Sequence, residues 1–119
     1  MKTFKDNNNR DWEITINVAA IKRVRDLIGV DLMQAIEGEL LKQLATDPVM
    51  LCDVIYCLCK PQADEKDISD TQFGQAMSGD AIDNATIALL DELVEFFHRE
   101  SERFSNGRYQ NFARWNKKR

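Results

Sequence analysis

The spacing of apolar positions divides the chain into one short β segment followed by helices. Trp12, Ile14, Ile16 and Val18 alternate with polar residues, the period-two pattern of a strand with one buried face. Phe4 lies in a shorter run before them, and "DNNNR" stands between the two runs. Asn tolerates the left-handed backbone that tight turns require, so a β-hairpin is expected across residues 2–17, about 2–6 paired with 11–17. A lone hairpin is marginally stable in water. Its apolar face must therefore pack on helices.

From Asn17 onward the period changes to that of a helix. Asn17 is placed to cap a helix at about 18–28 carrying Ile21, Val24, Leu27 and Ile28, with Gly29 as its stop. Asp31 is placed to cap a helix over 31–45, whose Leu32, Ile36, Leu40 and Leu44 form an i, i+4 ridge. "TDPV" is a strong start signal, with Asp47 as cap and Pro48 in the first turn. The resulting helix, 48–60, is apolar on every side, as a buried central helix must be, and Pro61 is expected to end it. "QADEKDISD" reads as a polar loop. Ser69 and Gln72 then form a capping box for a helix at 70–78 with Phe73, Ala76 and Met77. After "SGD", a long helix over 81–103 is expected. Ile82, Ala85, Thr86, Leu89, Leu90, Leu93, Phe96 and Phe97 should line its core face, with Asp83, Asp91, Glu92 and Glu95 in water. The expected fold is mainly α (α+β): an N-terminal hairpin on a bundle of about five helices. It forms one compact domain over 1–103, followed by a tail at 104–119.

Composition changes this picture little. The 119 residues suit a single domain, and 44% hydrophobic with 30% charged residues is ordinary for a globular protein. No apolar run approaches the ~20 residues of a membrane span. "MKTFKDNNNR" lacks the apolar segment of a signal peptide, so a cytoplasmic setting without membrane contact is expected. Charge changes the picture more. Residues 1–97 carry 9 Lys/Arg and 18 Asp/Glu, a balance of −9, whereas residues 98–119 carry 7 and 2, a balance of +5. An acidic body with a basic tail suggests that the two meet different surfaces.

The candidate chemistry is sparse. All three cysteines fall in "DPVMLCDVIYCLCKP". On a helix, Cys52 and Cys59 share a face but lie about 10.5 Å apart along the axis, and Cys57 points about 140° away from Cys52. Zinc needs sulfurs roughly 4 Å apart, so the preferred reading is core cysteines over a metal, redox or nucleophilic site. His98 is the single histidine, which leaves no triad and reads as solvated. "DEKDISD" lacks the glycine and closing glutamate of a calcium loop. No phosphate-cradling pattern is present. No catalytic, cofactor-binding or metal residue is nominated, and no cofactor is expected.

The tail "RFSNGRYQNFARWNKKR" is the segment most suited to binding. Phe104, Tyr109, Phe112 and Trp115 interleave with Arg103, Arg108, Arg114, Lys117, Lys118 and Arg119. Such a segment can anchor on a protein, since Trp, Tyr and Arg dominate hot spots. It can also pack on its own body, or stack on single-stranded nucleic acid. The protein-binding reading nominates Arg108, Tyr109, Phe112, Arg114, Trp115, Lys117 and Lys118. The acidity of the body weighs against nucleic acid as the partner.

The order of elements resembles a known family. The hairpin "TFKDNNNRDWEITINV" leads into "AAIKRVRDLIGVDLMQAI", "DPVMLCDVIYCLCKP", "SDTQFGQAM" and "GDAIDNATIALLDELVEFF". Across about residues 2–97 this resembles the small tail assembly chaperones of long-tailed bacteriophages and prophages. The resemblance implies a non-enzymatic protein. It would coat the tape measure protein, keep it soluble and help recruit tail tube subunits in the cytoplasm of an infected or lysogenic host. It would be absent from the mature virion. A homo-oligomer and a frameshifted longer form are left open. The resemblance carries no binding residue to a numbered position. The alternative from another class is a small nucleic-acid-binding or regulatory protein acting through the basic tail.

Overall fold

The computed structural model describes residues 2–105, with side chains placed for all of these except 36, 37 and 100–105. Residues 106–119 of the proposed binding tail, including Arg108, Tyr109, Phe112, Arg114, Trp115, Lys117 and Lys118, lie outside the described residues, and 104 and 105 belong to the last helix.

The protein is mostly helical, with an N-terminal two-stranded antiparallel hairpin packed against five helices. Strands β1 (Lys2–Lys5) and β2 (Asp11–Ile14) pair in the register Phe4↔Trp12 and Thr3↔Glu13. Their turn is organised by a carboxylate. Asp6 Oδ1 accepts from the amides of Asn8 and Arg10, and Oδ2 accepts from Arg10 Nε at 2.7 Å and from Trp12 Nε1 at 3.0 Å. Asn9 takes the left-handed conformation, φ 63°, as an Asn-rich turn allows. Trp12, Ile14 and Ile16 are buried as their alternation requires. Trp12 and Phe73 pack edge to face, 5.0 Å between ring centroids.

Helix α1 (Val18–Ile28) starts where Asn17 accepts from the Ala20 amide and stops at left-handed Gly29. Ile21 and Val24 are buried, but Leu27 is exposed. The single helix expected over 31–45 is divided in two. Asp31 caps a 3₁₀ helix at Leu32–Glu37, and Gly38, at φ 82°, breaks the chain before α2 (Glu39–Thr46). A positive φ is where glycine is cheapest, so this break overrides the i, i+4 ridge. Leu32, Leu40 and Leu44 are all buried, yet they lie on two separate segments.

Helix α3 (Pro48–Lys66) starts as expected, with Asp47 accepting from the Val49 and Met50 amides. It does not stop at Pro61, which lies inside it, and residues 62–66, expected in a polar loop, continue the helix. Proline has no N–H for the carbonyl four residues back. Here that carbonyl is Cys57 O, and it accepts from Arg23 Nη1 of α1 at 3.2 Å; the same nitrogen lies 3.3 Å from Leu58 O. A neighbouring guanidinium thus replaces the missing donor, and the helix runs on to Asp67, a left-handed C-cap. Leu51, Val54, Ile55, Cys57, Leu58, Cys59 and Ala63 are buried, consistent with a central helix touching α1, α2, α4, α5 and β2.

The Ser69–Gln72 capping box is present at α4, which spans Asp70–Gln75 rather than reaching 78. Helix α5 (Asp80–Ser105) lies against β1 and also touches β2 and α3. Ala85, Leu89, Leu93 and Phe96 face the core. Two expected positions are exchanged. Glu92, expected in water, is 1% exposed, whereas Leu90, expected in the core, is 39% exposed. Glu92 follows Ala88 by four and Leu89 by three, which sets it in the core stripe whatever its side chain. No described helix is long and apolar enough to cross a membrane.

Candidate functional site

Helix α5 has two apolar faces. Besides the core face, Ile87, Leu90 and Val94 follow at i, i+3 and i+7 on the opposite side. They are 57%, 39% and 68% exposed. Exposed apolar residues are ordinary singly, but a contiguous line of them marks an interaction surface.

One side of this line is a groove of about 520 Å³ between α2 and α5. Leu41, Leu44 and Ala45 of α2 form one wall. Asp83, Thr86, Ile87, Leu89 and Leu90 of α5 form the other, and Leu51 of α3 also lines it. The local sequence explains this placement. Gly38 ends the 3₁₀ helix and starts α2, and Asp47–Pro48 begins α3 straight after α2. The first turns of α3 therefore stay beside α2, bringing Leu51 to the groove. Leu44 and Leu89 are buried, while Leu41, Ile87 and Leu90 are exposed. On its other side Ile87 borders a more polar groove of about 590 Å³ against β1, with Lys2, Thr3, Lys5, Asn84, Ala88 and Asp91. A third depression, of about 470 Å³, lies where Val18, Ile21, Lys22, Arg25 and Met33 meet Phe96.

From Asp80 to Glu95 the charge on α5 has one sign. Every charged residue from Asp80 to Glu95 is acidic: Asp80, Asp83, Asp91, Glu92 and Glu95. All but Glu92 are exposed.

The cysteines do not assemble into a site. Cys57 and Cys59 are buried and Cys52 is half-buried, all as free thiols. Burial, then the Asp53 and Asp70 carboxylates, push the Cys52 thiol up to about 11. Burial pushes Cys59 up to about 12. Such thiols are poor nucleophiles near neutrality. Among the described residues no group of three His, Cys, Asp or Glu side chains is placed to hold a metal ion. His98 is exposed near the end of α5. The carboxylates of "DEKDISD" have separate structural places. Asp64 pairs with Lys60 at 2.6 Å, Asp67 is the α3 C-cap, and Asp70 opens α4.

None of the nominated tail residues falls within the described part of the chain, and the groove residues Leu41, Ala45 and Ile87 were not singled out from sequence. The signal for Ile87, Leu90 and Val94 is present as a second i, i+3, i+7 line, but the richer core line on the same helix obscures it. No protein family, curated protein or solved structure matches the chain.

Proposed function

We propose that the protein is a non-enzymatic, protein-binding chaperone of phage tail assembly. It holds the tape measure protein in the host cytoplasm, with tail tube subunits as further partners, and leaves before the virion is complete. The observation that carries the protein-binding part is the apolar α2–α5 groove with its exposed line Ile87–Leu90–Val94. A tape measure protein is a long helical polymer with apolar stripes. It is the kind of client that a groove between helices accepts and that an acidic, well-hydrated body keeps in solution. The biological setting comes from the sequence resemblance.

The test is co-expression with candidate tape measure and tail tube proteins from neighbouring genes, followed by affinity capture. The expected result is a soluble tape measure protein recovered with the chaperone. The control is Ile87→Ser, an exposed position whose change leaves the fold intact and lowers recovery. Failure to capture any tail protein, together with tight, strongly salt-dependent binding of single-stranded DNA, would overturn the assignment in favour of a nucleic-acid role.

A further inference from the structure

We infer that the α2–α5 groove takes a basic amphipathic helix. Its apolar stripe lies between Leu41 and the Ile87–Leu90 wall, and its Lys or Arg residues meet the carboxylates of α5. The inference rests on the groove being a protein-docking site, not on the identity of the client.

The form of the occupant follows from the walls. Both are helices, whose backbone N–H and C=O groups are bonded within themselves. An extended peptide would find no ladder there and would leave its own backbone unpaired. A helix arrives with its backbone satisfied and needs only an apolar stripe. The line Ile87, Leu90, Val94 covers two turns, about 10 Å along the axis, and matches anchors spaced i, i+3 or i+4, and i+7 on a partner helix.

The sign of the occupant follows from the charge. Asp83 lines the groove and Asp80 stands exposed one turn before it, with no Lys or Arg between Asp80 and Glu95, while Asp91 borders the β1 groove on the far side of Ile87. On α2, Lys42 is offset by Glu39. An acidic helix is repelled by this wall, and a basic one is steered to it.

The probes are two helical peptides of identical pattern, one built from Leu and Lys and the other from Leu and Glu. Each is titrated into the full-length, methyl-labelled protein and followed by NMR. The Lys peptide is expected to shift the methyl signals of Leu41, Leu51, Ile87 and Leu90, and the Glu peptide to leave them in place. Ile87→Asp separates docking from diffuse attraction. It adds negative charge, so non-specific binding of the Lys peptide would strengthen, whereas docking weakens by about tenfold, the loss of one apolar anchor. Leu90→Ser does the same without adding charge. Equal binding of both peptides, shifts away from the groove, or undiminished binding to both variants would overturn the inference. So would two observations on the peptide-free protein. Contacts from the Trp115 ring to Ile87 would make the chain's own tail the occupant, and concentration-dependent shifts of the groove methyls would make it a second copy. Capture of the tape measure protein by a chain that binds neither peptide defeats this inference and leaves the chaperone reading standing. Binding of the Lys peptide by a chain that captures no tail protein does the reverse.

Discussion

Asp6 and Asp11 stand at the two ends of the same turn, and each faces a cation, yet their surroundings give them different weights. Asp11 pairs with Lys5 at 2.7 Å with both side chains largely in water, an arrangement worth at most about 1 kcal/mol. The Asp6 side chain is fully buried and accepts four hydrogen bonds, one of them from the indole of the buried Trp12. Burial raises its pKa, but the bonds from Trp12, Arg10 and the Asn8 amide outweigh that and hold it below the ordinary 3.8. Asp6→Asn leaves one oxygen to accept and turns its NH₂ toward two of the four donors, N–H against N–H. The expected loss is about 1–3 kcal/mol for each donor left unpaired, against about 1 kcal/mol or less for Asp11→Asn. Chemical denaturation of the two variants checks this, and equal losses would mean that Asp6 does not organise the turn. The pH dependence has a fixed sign. A carboxylate depressed in the folded state stabilises fully above its unfolded value, near 3.8, and that stability is lost as pH falls from there through the folded value. The wild type should therefore lose stability across that acid range more steeply than Asp6→Asn.

Segment boundaries depend on whether a local stop signal finds a partner elsewhere in the fold. Pro61 read as the end of a helix, and Gly38 did not read as the end of another; the structure reverses both. Arg23 accounts for the first reversal through its bond to Cys57 O. Removing it should cost about 1–3 kcal/mol, the loss of a part-buried hydrogen bond from a charged donor. In a Pro61→Ala background residue 61 regains an N–H for that carbonyl, so Arg23→Leu should cost less there. A double-mutant cycle should give a coupling of about 1 kcal/mol, and additive effects would show that Arg23 does not compensate for the proline. A second long-range contact of this kind closes the outer edge of β2. The Gln62 carboxamide accepts from the Glu13 amide and donates to the Glu13 carbonyl, each at 2.8 Å. It occupies the place a further strand would take, one way a sheet edge is protected. What was legible in the sequence was local: the Asn17, Asp31 and Asp47 caps, the Ser69–Gln72 box, the alternation from Trp12 to Ile16 and the central character of α3. What was not legible depends on residues far apart in the chain, such as Arg23 on Cys57 and Gln62 on Glu13. Glu92 was misplaced because residue type was weighed above helical position. The groove escaped notice because Leu41 and Ile87 belong to elements 40 residues or so apart, which only the fold brings together.

At the scale of the whole molecule, α5 does two things with one sequence. Its inner face joins the hairpin to the helices through Ala85, Leu89, Leu93 and Phe96, and its outer face leaves Ile87, Leu90 and Val94 exposed. Stability and binding should therefore separate along this helix. Leu93, 3% exposed, loses its packing in Leu93→Ala, at a cost of about 2–5 kcal/mol. Val94, the next residue, is 68% exposed, and Val94→Ser should change stability by about 0.5 kcal/mol or less. Partner binding should show the opposite ranking. Under conditions where both variants are folded, Leu93→Ala keeps its outer line and binds as the wild type does, while Val94→Ser binds more weakly. Thermal denaturation and client capture on the same two preparations provide both readings. If Val94→Ser proves as destabilising as Leu93→Ala, the outer face of α5 is core rather than docking surface. If both variants bind the client equally well, contact with the client lies away from this end of the line.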